Sequence, residues 1–222
     1  MGQRGHGYGS EDHFIRYRTD HPALLDWYIK AALPYHSDIT WLYPAQGIAE
    51  EPKDLTFVDF TESQLKLWRG FWPNPGNRSW DGVARCAEEW LLFEAKANES
   101  ELCSPGTGAS PPSLRQITRA FDEVKLFFGV PSETVWHGRY YQYANRLAAL
   151  YFLNVVAKIP ARLVFLYFTG DVFPDGRPCP QNEQAWRPVI SKCHAELKLP
   201  DTHGLSDRTH EVFAPVRVSG NG

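Results

Sequence analysis

Trp90-Leu91-Leu92-Phe93-Glu94-Ala95-Lys96-Ala97 is the stretch on which the fold turns. It reads as a buried strand carrying one carboxylate and one ammonium, two residues apart. Side chains alternate across a strand, so Glu94 and Lys96 point one way and Leu91, Phe93, Ala95 and Ala97 the other. Opposite charges on an otherwise apolar strand are costly to bury unless they are paired, solvated or bound to an ion. The same eight residues are thus a core element and a candidate site.

The neighbour of this strand is written just upstream. Ser79 to Arg85 and Trp90 to Ala97 form a candidate β-hairpin turning on Ala87-Glu88. In that register Val83 faces Leu92, Arg85 faces Trp90, and Asp81 faces Glu94. Directly opposed residues have Cβ atoms about 4.5–5.5 Å apart, and two carboxylates that close repel unless a cation lies between them. A slip of one residue would turn Asp81 to the other face.

Downstream, a small-residue loop over 99–113 leads to a helix over Leu114 to Phe128, with Ser113 as cap and Gly129-Val130-Pro131 as stop. The longest predicted helix runs from about His137 to Ala157. Its apolar stripe is Tyr140, Ala144, Leu147, Ala148, Tyr151 and Val155, while Gln142, Asn145 and Arg146 share a polar face near its start. Arg162 to Phe168 is apolar on both faces, which predicts an interior strand parallel to a neighbour. Asn182 to Leu197 reads as another helix and Glu211 to Val218 as a last strand. Before the hairpin, helices are expected over Pro22 to Leu33, with Asp20 as cap, and over Thr61 to Trp72. Ile39 to Tyr43 reads as a strand, residues 45–60 fit either element, and a Pro-Asn-Pro-Gly-Asn loop starts at Pro73. Residues 1–10 are Gly-rich and expected to be a disordered tail ahead of one domain over 11–222. This order predicts an α/β fold, a mixed central sheet with helices on its faces.

Composition narrows the function. A hydrophobic content of 43% supports a full core. The net charge of −3 removes any whole-chain argument for a polyanion partner. Nucleic-acid binding would need local Arg and Lys, such as Arg115, Arg119 and Lys125 on one helix with Arg139 and Arg146 on the next, or a metal ion. Solvated helix faces explain those cations equally well. The four cysteines have no zinc-site spacing and read as reduced core residues. His13, His21 and His36 form no ligand set. The first residues lack the apolar run of a signal peptide, and Leu147 to Phe168 is broken by polar residues and a proline. No membrane association and a cytoplasmic location are expected.

E-x-K alone says little, because the chain has four: Glu51-Pro-Lys53, Glu94-Ala-Lys96, Glu123-Val-Lys125 and Glu196-Leu-Lys198. The last two lie on predicted helices, where a solvated face explains them, and the first lies in a loop. Only Glu94-Ala-Lys96 sits in an apolar strand with an Asp on the strand beside it. A Glu–Lys ion pair at a sheet edge is the plain alternative. Two carboxylates with the backbone carbonyl of Ala95 suit a hard cation, Mg²⁺ or Mn²⁺. Such an ion acidifies water and neutralises charge on a phosphoryl group, and Lys96 would add a point charge. A glycosidase acid and nucleophile is a weaker fit to Asp81 and Glu94, since nothing else supports it and the shared lysine argues against it.

Trp80-Asp81 followed by Glu94-Ala95-Lys96 resembles the signature of the PD-(D/E)xK phosphodiesterases, the restriction-endonuclease-like superfamily. The stretches FWPNPG, SWDGVA, LLFEAKA and YYQYANRLAALYFL are similar to small bacterial members, over about residues 68–170. The resemblance implies a restriction-endonuclease-like core, Asp81 and Glu94 as metal ligands, and Lys96 as the catalytic lysine. It implies for Gln142 the role of the helical glutamine in exonuclease-like branches. Trp80 replaces the family's proline, and Arg146 stands where those branches carry tyrosine. Glu50 or Glu51 could supply the extra early glutamate of many members, although surface charge also accounts for both. The expected function is metal-dependent cleavage of phosphodiester bonds in DNA. The alternative is a degenerate member that binds DNA or a partner protein without cutting. A homodimer or another protein partner would be compatible with the modest charge.

Overall fold

The computed structural model describes residues 7–34, 37–44, 50–73 and 79–217. Two helices come first, α1 (Ser10–Asp20) and α2 (Pro22–Ala32), followed by the short strand β1 (Ile39–Tyr43) and helix α3 (Glu62–Phe71). The hairpin β2 (Gly82–Cys86) and β3 (Glu89–Lys96) leads to α4 (Pro111–Phe128), α5 (Tyr141–Tyr151), β4 (Ala161–Thr169), α6 (Glu183–Leu197) and β5 (Thr209–Pro215). The strands form one mixed sheet in the order β1-β2-β3-β4-β5. β1, β2 and β3 run antiparallel, and β3, β4 and β5 run parallel.

The alternation read from Trp90–Ala97 divides the core. Leu91, Phe93, Ala95 and Ala97 pack with Phe14 and Tyr17 of α1 and Leu25 and Ile29 of α2. Trp90 and Leu92 pack on the opposite face, with residues from α3 through α6. Every residue of β4 is buried, as its two-sided apolar sequence requires. The sheet is therefore covered by helices on both faces, and Glu94 and Lys96 extend the four-helix side. Ring packing knits that side together: Tyr143 of α5 stacks on Phe165 of β4 at 4.1 Å between centroids.

The hairpin has the predicted register, with Val83 opposite Leu92, Arg85 opposite Trp90, and a two-residue turn at Ala87-Glu88. β2 is shorter than predicted, however. Its ladder ends at Gly82 opposite Phe93, and Ser79 instead forms a bridge with Lys53. The amide of Trp80 donates to the carbonyl of Pro52, and its indole N–H to that of Asp54. Trp80 has no exposed surface, and burying that ring draws the chain off the sheet just before Asp81.

Several boundaries also differ. α1 was not foreseen, and Ser10, assigned by sequence to the tail, is its first residue. Gly9 donates its amide to Asp171, which fixes the approach to that helix. Residues 1–6 of the expected tail lie outside the described residues, as do 45–49 of the ambiguous segment, 74–78 of the proline loop, His36 and Val218. His21, not Asp20, is the cap residue of α2. The described part of 50–60 forms turns, not a regular helix or strand. Thr61 and Gln64 do form a reciprocal capping box on α3. Ser110, not Ser113, caps α4, because Pro111 starts the helix without needing a free N–H. α5 begins at Tyr141, after a turn closed by the Gly138 carbonyl, and its end loosens into one π-helical turn over Phe152–Val156. There Asn154 spends its side chain on the carbonyls of Leu150 and Ala161, tying the helix end to β4. Asn182 caps α6 as its position predicts. β5 begins two residues early, at Thr209. No described helix is long and apolar enough to cross a membrane. All four cysteines are free thiols.

Candidate functional site

The site lies where β2 leaves β3. Amides of β3 alternate in direction: that of Trp90 donates to the Pro160 carbonyl on the β4 side, so those of Ala95 and Ala97 face the side that β2 has vacated. Buried amides require acceptors. Two carboxylates supply them. Asp81 Oδ2 accepts from the Ala95 amide at 2.7 Å, and Glu101 Oε2 accepts from the Ala97 amide at 2.7 Å. Glu101 also takes the Asn98 side-chain amide. Asp81 thus arrives beside Glu94 without belonging to the strand.

Glu94 and Lys96 come from the face predicted for them. Lys96 Nζ lies 2.5 Å from Glu94 Oε1 and 3.1 Å from Gln142 Oε1 on α5. Arg146, one turn further along α5, places Nε 2.5 Å from Glu94 Oε2. Glu94 is 1% exposed, Arg146 2% and Lys96 6%. Each oxygen of a buried carboxylate therefore meets its own cation. The structure brings together Asp81, Glu94, Ala95, Lys96 and Gln142.

Electrostatics separates the two acids. Burial raises Asp81, the Glu94 charge raises it further, and Lys96, the Ala95 amide and Arg146 only partly offset this, so its pKa is pushed up to about 7. Burial also opposes ionisation of Glu94, but Arg146 and Lys96 outweigh it and hold Glu94 below the usual carboxylate range. Burial works against the charge on Lys96; Glu94 and Asp81 overcome it and raise its pKa. Near neutral pH the site contains an ionised Glu94, a charged Lys96 and an Asp81 poised between its two forms.

The donor set fits a hard divalent cation in its chemistry. Two carboxylates share one pocket of charge, and burial together with the Glu94 charge keeps Asp81 partly protonated, a proton that a dication would displace. Glu94 meets Lys96 and Arg146 with one oxygen each and retains a further lone pair on both. Asp81, Glu94 and the Ala95 carbonyl would be the ligands. No group of three or more His, Cys, Asp or Glu suited to a metal occurs among the described residues. Glu51 precedes Pro52, whose carbonyl pairs with Trp80, so its segment runs beside the one leading into Asp81, whereas Glu50 is exposed.

Two cations expected to follow a phosphate backbone do not reach the surface. Lys125 is buried, bonded to the carbonyls of Ser132 and Thr134 and paired with Asp122. Arg146 is consumed at Glu94. Arg115 and Arg119 are exposed on α4, and Arg139 is half-exposed ahead of α5, with Nε 3.2 Å from Cys103 Sγ. Glu101 was missed because its segment reads as a loop of small residues. Its only sequence signal is its position, four residues beyond Ala97. Arg146 was seen on the same helix face as Gln142, but nothing in the sequence reveals that it spans to β3. No protein-family model, curated protein or solved structure matches the chain.

Proposed function

We propose that this protein is a metal-dependent nuclease, built on a PD-(D/E)xK-type site and acting on DNA. The observation that carries the reading is the geometry around Lys96. Its ammonium bridges Glu94 Oε1 and Gln142 Oε1, while Asp81 is bonded to the amide of the intervening Ala95. The β2–β3 hairpin, α5 and β4 follow one another in the order that the resemblance implies for a restriction-endonuclease-like core. A bound Mg²⁺ or Mn²⁺ would neutralise charge growing on the phosphoryl oxygens and make water a better nucleophile.

The protein's own residues have separable roles. Lys96 is charged at neutral pH, so it acts as a hydrogen-bond donor and point charge toward phosphate oxygen, not as a base. Gln142 fixes the direction of that ammonium. Glu94 stays ionised, and Asp81 releases its proton when positive charge approaches. Burial keeps water from screening these groups, which strengthens each interaction.

A second reading is favoured by Arg146. A cation already sits against Glu94 Oε2, as it would in a site that keeps its architecture but binds DNA or a partner protein without cutting. The discriminating experiment compares single- and double-stranded DNA in Mg²⁺, Mn²⁺ and chelator, using wild type, Asp81→Ala and Lys96→Ala. Metal-dependent cleavage by wild type alone supports the nuclease. Equal, metal-independent activity in all three proteins rejects it, and DNA binding without cleavage supports the second reading.

A further inference from the structure

Arg146 touches both halves of the candidate metal site. From α5, Nε bonds Glu94 Oε2 at 2.5 Å, Nη2 bonds the Ser79 carbonyl at 2.5 Å, and Nη1 lies 3.3 Å from Asn145 Oδ1. The guanidinium carbon lies 4.4 Å from the centre of the Trp80 ring. Ser79 and Trp80 lead directly into Asp81, so one side chain links the segment bearing Asp81 to the strand bearing Glu94. Its surface is only 2% exposed, and an arginine does not shed its charge in proteins.

We propose that Arg146 is a built-in competitor for the divalent cation. It keeps the carboxylate site assembled and offsets the Glu94 charge when no metal is bound, and it holds the affinity for metal down. The inference rests on Asp81 and Glu94 being the metal site. Lys96 and Arg146 are as many cations as Asp81 and Glu94 are carboxylates, so the metal-free site has no surplus of negative charge to draw a dication in. An incoming dication must share Glu94 with a cation that has three hydrogen-bonding partners and an aromatic face and cannot easily withdraw. Repulsion between cations a few ångströms apart is little screened in a buried site. Deleting the charge at Arg146 therefore removes a rival for Glu94, and metal should bind more tightly. A residue serving only as a scaffold gives the opposite sign, since its loss would loosen the site and weaken binding.

The test uses the full chain and Mn²⁺ as the probe, with wild type, Arg146→Gln, Arg146→Lys and Asp81→Ala. Calorimetry gives the Mn²⁺ dissociation constant, and thermal unfolding is followed in chelator and in excess Mn²⁺. Arg146→Gln should bind Mn²⁺ at least tenfold more tightly than wild type, with Arg146→Lys close to wild type and Asp81→Ala losing the binding. It should unfold at a lower temperature than wild type in chelator and gain more from Mn²⁺. If Arg146→Gln does not fold in chelator, refolding on Mn²⁺ addition supports the proposal. Failure to refold while Arg146→Lys folds overturns it. Binding to Arg146→Gln that equals or falls below wild type overturns the competition while leaving the metal site in place. Absence of Mn²⁺ binding and of any Mn²⁺-dependent stabilisation in all four proteins overturns the metal reading, and the competition with it.

Discussion

Asp81 Oδ2 accepts the Ala95 amide at 2.7 Å, the position that a carbonyl of β2 would occupy had the ladder continued. A side chain thus completes the sheet where the backbone leaves it, and a carboxylate is delivered beside Glu94. The arrangement opposes stability to function. Burial and then Glu94 push Asp81 up to about 7, so the folded protein binds more protons than the unfolded chain between about pH 4 and 7. Its contribution to stability is present in full below the unfolded pKa and is lost as pH rises through 7. Asp81→Asn keeps an oxygen for the Ala95 amide and removes the charge. In chelator at pH 8 it should be more stable than wild type by about 2 kcal/mol, while metal-dependent cleavage disappears. Urea unfolding against pH checks the first part. A variant no more stable than wild type would contradict it.

Lys96 and Gln142 should behave as one unit. Lys96→Met removes the ammonium and should lower cleavage about 10²–10³-fold. Gln142→Ala leaves the charge but frees its direction, and should cost about tenfold. Because Gln142 works through Lys96, the double variant should be no slower than Lys96→Met alone. Single-turnover rates on one DNA substrate measure all four corners of the cycle. Additive losses would show that Gln142 has a separate role.

Gly82 marks the start of β2 and follows Asp81 directly. A Cβ there would lie 2.6 Å from the buried ring of Phe14 and 3.1 Å from Phe93 Cβ. Gly82→Ala should therefore cost about 1–3 kcal/mol through overpacking, lowering the melting temperature by about 2–4 °C for each kcal/mol. Calorimetric unfolding of the variant is the measurement. Phe14→Leu, by making room, should recover part of the loss in the double variant, and absence of any recovery would argue against this contact.

Acid sensitivity should arise away from the Asp81–Glu94 site, at β5. Burial, helped by the nearby Arg162 guanidinium, pushes His210 down to about 4, and Arg162 Nη1 lies 3.2 Å from its Nε2. Asp207 and Glu89 oppose the shift only in part. With a depressed pKa, the folded state resists a proton that the unfolded chain accepts. The contribution is complete above about pH 6.5 and is lost as pH falls toward 4. His210→Gln should flatten the stability profile across that window by about 1 kcal/mol, after allowance for screening by solvent. Thermal unfolding at pH 7.0 and pH 5.0 provides the comparison, and an unchanged slope would rule His210 out as the source.

How far the sequence carried depended on the range of the interaction involved. Strong periodicity placed β1, the β2–β3 hairpin, β4 and most helices, because alternation and capping are local. Thr61 with Gln64, and Asn182 before α6, identified themselves for that reason. α1 escaped because its polar surface hides an apolar edge of Phe14 and Tyr17 that acquires meaning only against α2 and the sheet. The start of α5 was misjudged because its apolar stripe extends back to Tyr140, while the turn at Gly138 leaves that residue outside the helix.

The site divides along the same line. The register predicted for the hairpin holds from Gly82 onward but not for Asp81, which leaves the ladder. By itself the sequence determined that Glu94 and Lys96 share one face of a buried strand and that Gln142 and Arg146 share one helix face. Each of these follows from a period of two or of about 3.6 residues. Only the tertiary structure decided how their charges are met. It took Asp81 off the ladder and onto the Ala95 amide, turned Gln142 toward Lys96, and set Arg146 against Glu94. The physical reason is that burying charge is tolerable only when partners converge from elements far apart in the chain, and no local pattern records which partners those will be.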